Sequence, residues 1–215
     1  MKPAPDHSLR EYLLPSKLIN SDHPSIVRKS EEITSGTVQV EDKARDIFYF
    51  IRDQICYDFN ASFQEEDYYA SEILKAGKGF CTQKAILFCA LSRCCKIPAG
   101  IYFYNIVDYT LPRYITEILK TRTLYHHGIA TLLLNGQWRQ YDATLDLELT
   151  ERKQRYSVEF SPDHHCLMRK KTKTGENHIE YGHDYGLRSN VTFKDIVAWL
   201  EEDYPHLFDI VPKVL

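Results

Sequence analysis

The run from Cys81 to about Lys96 restricts the fold more than any other stretch. It reads as one helix with apolar residues on nearly every side: Ala85, Ile86, Leu87, Phe88, Cys89, Ala90 and Leu91. A helix that is apolar all round has no face to offer water, so it must lie buried at the centre of a core. Gly77 and Gly79 permit a tight turn just before it, and Pro98 stops it. A chain of 215 residues can bury one substantial core, and 43% hydrophobic with 27% charged residues is globular rather than disordered composition. One domain over residues 1–215 is expected, with its core at about 41–150 and both terminal segments packed on it.

Around the central helix the pattern reads as α+β. Ala44, Ile47, Phe48 and Ile51 recur at helical spacing from Val40 to Asp53. Ser71 can cap a short helix that Gly77 and Gly79 end. After Pro98, Ile101 to Val107 is a β-rich run. Residues 108–125 read as a connection. His127–Leu134 and Gln137–Asp142 then flank Asn135-Gly136, the strongest short hairpin signal. A further strand is expected around Tyr156 to Phe160, and Thr192 opens a last amphipathic helix through Phe193, Ile196, Val197 and Leu200. Pro3, Pro5, Pro15 and Pro24 predict extended segments and short helices over residues 1–40.

A thiol attacks carbon efficiently only as thiolate, and a helix N-terminus stabilises that anion with unpaired N–H groups and its dipole. Cys81 takes such a position, with glycines that let a substrate backbone approach. Cys89, Cys94 and Cys95 fall inside the helix and read as buried small hydrophobes. The hairpin supplies a base and its orienter. With Asn135-Gly136 as a two-residue loop, Leu134 faces Gln137 and Ile129 faces Asp142. His127 is then one diagonal step from Asp142 on the same face, while His126 points to the other.

Several other chemistries are disfavoured. The net charge of -3 gives no general attraction for nucleic acid, and the basic run Arg169, Lys170, Lys171, Lys173 reads as a solvated loop. No apolar stretch reaches membrane-spanning length, and the N-terminal residues lack an export signal. Six sparse cysteines suit reduced thiols in a cytoplasm. His164, His165 and Cys166 adjoin, a spacing unlike a zinc site, so neither a metal nor another cofactor is expected.

Three ordered segments carry a resemblance. They are Tyr69 to Leu74 with Gly77-Lys78-Gly79-Phe80-Cys81-Thr82-Gln83-Lys84-Ala85; Ala90-Leu91-Ser92-Arg93 with Ile97-Pro98-Ala99; and His127-Gly128-Ile129 through Gly136-Gln137-Trp138 to Asp142-Ala143-Thr144. Together with Ile55-Cys56-Tyr57, they resemble the transglutaminase-like superfamily over roughly residues 41–150. The resemblance implies a papain-like core, a nucleophile helix packed on an antiparallel sheet, with Cys81 as nucleophile, His127 as base and Asp142 orienting it. The Cys81 N–H, helped by Tyr57, would hold the oxyanion. Thr82 stands where animal crosslinking members have tryptophan, and Gly128-Ile129 replaces a small-residue-tryptophan pair. The expectation is a cysteine hydrolase acting on a peptide, amide or thioester. Acyl transfer to an amine and a catalytically idle binding module remain alternatives.

Overall fold

The computed structural model describes residues 9–59 and 64–208, and Pro3 and Pro5 lie outside them. Pro24 takes the first position of α1 (Pro24–Ile33), where its missing N–H costs nothing. Next come α2 (Val40–Gln54), β1 (Cys56–Tyr57), α3 (Ala70–Ala76), β2 (Lys78–Gly79) and α4 (Cys81–Cys94). β1 and β2 pair in parallel as a two-stranded ribbon directly before α4. The second half contains β3 (Ala99–Asp108), α5 (Arg113–Leu119), β4 (Thr123–Leu134), β5 (Gln137–Tyr141) and α6 (Leu147–Arg152). It ends with β6 (Ile179–Arg188), α7 (Phe193–Asp203) and α8 (Pro205–Phe208). One antiparallel sheet runs in the order β5-β4-β3-β6.

Helix α4 is the predicted central helix: every residue from Cys81 to Arg93 is buried. One hydrophobic cluster, from Leu18 to Tyr204, surrounds it. Arg93, also buried, turns this burial into a clamp. Its guanidinium donates to the carbonyls of Leu14, Ala99 and Ser189, tying the N-terminal segment and the chain after β6 to the end of α4. A charged group is tolerated there because its N–H groups find backbone acceptors.

The hairpin has the predicted register, Leu134 opposite Gln137 and Ala130 opposite Tyr141. Asn135 and Gly136 both take the left-handed conformation, with φ of 51° and 71°, as such a turn requires. Other expectations need correcting. Ser71 does not cap α3; Tyr69 occupies that position, and Ser71 exchanges hydrogen bonds with Asn20 at 2.9 and 3.1 Å. Residues 156–160 form no strand, because they find no ladder partner. Side chains hold them instead: Arg52 donates to the Val158 carbonyl at 2.7 Å, and Phe160 stacks on Tyr141 at 5.1 Å. The connection 108–125 contains α5, and the edge strand beside β3 is β6. Among the described residues no helix is long and apolar enough to cross a membrane.

Candidate active site

Local chain geometry aims Cys81. Helix α3 stops at Gly77, whose φ of 66° is cheap only for glycine. The chain then runs through β2 into the first position of α4. There Gln83 caps the helix, its Oε1 accepting from the Phe80 N–H at 3.1 Å while its Nε2 donates to the Asp67 carbonyl at 2.9 Å. Gly79 lies against that cap, since a Cβ on it would come within 2.9 Å of the Gln83 Cβ. Cys81 therefore begins the helix with its own N–H outside the ladder of helical hydrogen bonds.

Strand β4 crosses this helix end at close range. A Cβ on Gly128 would sit 3.2 Å from the Thr82 Cα and 3.0 Å from its hydroxyl, so only glycine lets strand and helix meet here. The same contact brings His127 beside Cys81. Its imidazole Nε2–H donates to Asp142 Oδ2 at 3.0 Å, with the two side chains 1% and 0% exposed. Nδ1 is buried without a hydrogen-bond partner, and Cys81 is close enough for the charge on each group to shift the other. Asp142 follows directly on β5, its N–H donating to the Cys166 carbonyl at 2.8 Å.

The carboxylate is further fixed by groups the sequence did not single out for the site. The Tyr181 hydroxyl donates to Asp142 Oδ2 at 2.7 Å, and the Thr144 N–H donates to Oδ1 at 3.3 Å. Tyr181 itself accepts from the Met168 N–H at 3.2 Å. Burial, and then the neighbouring carboxylate, raise the Tyr181 hydroxyl well above its usual range, so it stays a donor. A signal existed in the alternation of Ile179 and Tyr181, but two bulges further along β6 break it. Gly182 and Gly186 obscure it.

The charges follow from this geometry. Burial pushes the Cys81 thiol up, but His127, a hydrogen bond from the Gly128 backbone and the Thr82 hydroxyl together outweigh it and leave it below the ordinary thiol value. Burial lowers His127, yet Asp142 and Cys81 raise it to about 10. Asp142 is raised by burial and lowered more strongly by His127, Thr144 and Tyr181. The arrangement favours thiolate beside imidazolium, a pair suited to attack on an electrophilic carbon. Inside the same helix, burial without such partners pushes Cys89 up to about 12. All six cysteines are free thiols.

Tyr57 also reaches the neighbourhood of Cys81. The β1–β2 pairing sets Tyr57 against Gly79, two residues before the sulfur, and its N–H donates to Asp146 Oδ2 at 3.1 Å. Burial, then the Cys81 charge, keep its hydroxyl protonated.

The transglutaminase-like superfamily's core pattern matches residues 28–143, more than half of the sequence. The chain belongs to the transglutaminase-like superfamily. Its fold is similar to that of a candidate cysteine protease from Cytophaga hutchinsonii, with a TM-score of 0.51 and 20% identity over 65% of this chain and 43% of that one. A candidate protease from Parabacteroides distasonis gives a TM-score of 0.43 and 12% identity over 64% of this chain and 26% of that one. This superfamily member thus spans less than half the length of either solved chain. No curated protein matches it.

The match ends at Asp142-Ala143, so Tyr181 and the cavity walls contributed by α7 and α8 lie beyond it in this superfamily member. His126 does point away from His127, but its surroundings were not foreseen. A β-bulge sets Tyr125 and His126 against Asn105, and His126 takes φ of 48°. Its Nδ1–H donates to Asp203 at 2.7 Å, and its ring stacks on Trp199 at 4.5 Å. Both histidines therefore border Cys81's surroundings, from opposite sides of β4. The exposed His164 and His165 and the buried His178 lie outside this group.

Proposed function

We propose that this protein is a cysteine hydrolase that cleaves amide, peptide or thioester bonds through an acyl-enzyme on Cys81. The observation that carries the reading is the buried His127–Asp142 hydrogen bond beside Cys81 at the start of α4; the neighbouring charges favour thiolate and imidazolium there. The Cys81 sulfur attacks the carbonyl carbon, and the oxyanion is held by the Cys81 N–H and the Tyr57 hydroxyl. His127 protonates the leaving group as its bond to the acyl carbon breaks. Water then attacks the thioester, gives its proton to His127, and releases acid and the free thiolate. Asp142 holds the imidazole in the tautomer this sequence needs, and Tyr181 holds Asp142.

Hydrolysis is favoured over transfer to an amine by Thr82 and by Gly128-Ile129, which stand where crosslinking members carry tryptophan. The free thiols suit a reducing compartment, and we place the protein in the cytoplasm. Peptide mapping after limited iodoacetamide should find Cys81 modified first. A donor supplied with excess primary amine should give mainly free acid. Prior labelling of Cys89 or Cys94 would remove Cys81 from the role, and a dominant amide product would make the protein a transferase.

A further inference from the structure

Cys81 opens on a cavity of about 260 Å³ whose walls are mostly hydrocarbon. Ile115 and Leu119 come from α5, Leu124 from β4, and Ile196, Trp199 and Leu200 from α7. Ile115, Leu119, Leu124 and Ile196 are buried, so this is a built pocket rather than a surface dent. Helices α7 and α8 lie wholly beyond the region matched by the superfamily pattern. Their placement has its own supports. Trp199 packs edge-on to Phe103 at 5.0 Å and stacks on His126, Asp203 binds His126, and the Tyr204 hydroxyl donates to the Thr123 carbonyl at 3.1 Å. His206 Nε2 donates to the Ile118 carbonyl at 2.8 Å, joining α8 to α5 across the rim.

A nucleophile at the floor of an apolar cavity limits what can be attached to it. Of the two halves of an acyl substrate, the acyl half stays bonded to sulfur through the second step, whereas the leaving half must depart and admit water. An apolar cavity offers water few partners and hydrocarbon a full set of contacts. At interior packing density, the volume holds on the order of ten carbon atoms.

We propose, building on the hydrolase reading above, that the cavity selects the acyl half of the substrate and that this half is a neutral hydrocarbon group of about eight to ten carbons. It is either a medium-length alkyl chain or an aryl-bearing side chain, presented as a thioester or amide. Its carbonyl sits at Cys81 while its tail lies among the α5 and α7 side chains.

The test is a series of thioesters sharing one small thiol, with acyl groups of two to twelve carbons and a parallel aryl-alkanoyl set. Acylation of Cys81 is followed by intact-protein mass. The rate constant should climb by up to about fourfold per methylene, the full transfer value of a buried CH₂, and level off near ten carbons. The aryl set separates the two sources: a preference for one set at equal carbon number names it. Introducing charge at the wall or rim, with Leu200→Arg and separately with Ile118→Arg at the exposed rim, should cut the octanoyl-to-acetyl rate ratio at least tenfold. Equal acylation by all chain lengths overturns the cavity assignment while leaving the hydrolase reading intact. If no thioester acylates Cys81, the hydrolase reading falls and takes this inference with it.

Discussion

The two faces of strand β4 can be compared through adjacent histidines. His127 is fully enclosed and pairs with a carboxylate that is itself held by Tyr181 and Thr144. His126 faces the C-terminal helices and pairs with Asp203 at 2.7 Å, closer than the 3.0 Å of the first pair. Both are histidine–carboxylate pairs, so such a pair is not by itself a mark of chemistry. What separates them is the neighbour: His127 is coupled in charge to a thiol at a helix N-terminus, whereas His126 lies flat against Trp199 and Tyr185. On the reading proposed above, one side serves the reaction, and the other fastens the helices that wall the cavity.

The most severe break in this comparison is His127→Ala, which should lower turnover at least ~10²-fold. Asp142→Asn should lower it less, and the double variant should be little worse than His127→Ala, because the two act as one unit. Steady-state kinetics on folded variants decides this. The pH dependence sharpens it. As pH falls through the depressed Cys81 value, the thiolate is protonated, and both alkylation and turnover should be lost. As pH rises through about 10, His127 loses the proton it gives the leaving group, so turnover should fall while alkylation persists. In His127→Ala the alkylation midpoint should move up, since burial then acts on the thiol without its main opponent.

Tyr181→Phe should act through Asp142. Removing a hydrogen bond to a buried charge is worth about 1.5–3 kcal/mol, so a drop of roughly ten- to a hundredfold in turnover, or an equivalent loss of stability, is expected. A merely structural Tyr181 would lower the melting temperature and leave the alkaline limb in place. A positioning role also moves that limb down, because a less firmly held carboxylate supports the imidazolium less. The smallest effect belongs to His126→Asn, a residue that tolerates the positive φ at this position. Turnover of an acetyl thioester should stay within about threefold of the parent, with a stability loss of about 1 kcal/mol from the Asp203 contact. An inactive but folded His126→Asn beside an active His127→Ala would exchange the roles of the two faces.

Much of the reactive face was legible beforehand because its instructions are local. Asn135-Gly136 sets the hairpin register, and register sets parity, which selects His127 from an adjacent pair of histidines. The unbroken apolar run around Phe88 announces a central helix, and the glycines before it announce where it starts. The cavity face was much less legible. Helix α5 has two turns with buried Ile115 and Leu119, too short a pattern to separate from a loop. The bulge at Tyr125 and His126 interrupts the alternation that the parity argument uses, and no residue near it signals the interruption.

The sequence by itself therefore determined the central helix, the hairpin and the order of cysteine, histidine and aspartate along the chain. Each of these is written in spacing over a few residues. Tertiary structure alone decided that Tyr181 steadies Asp142 across 39 positions and that Asp203 meets His126 across 77. It also decided that helices near the C-terminus roof the sulfur. Partners so far apart carry no local pattern. The shifts in Cys81 and His127 depend on which charges and how little water surround them, and those are properties of the assembled core.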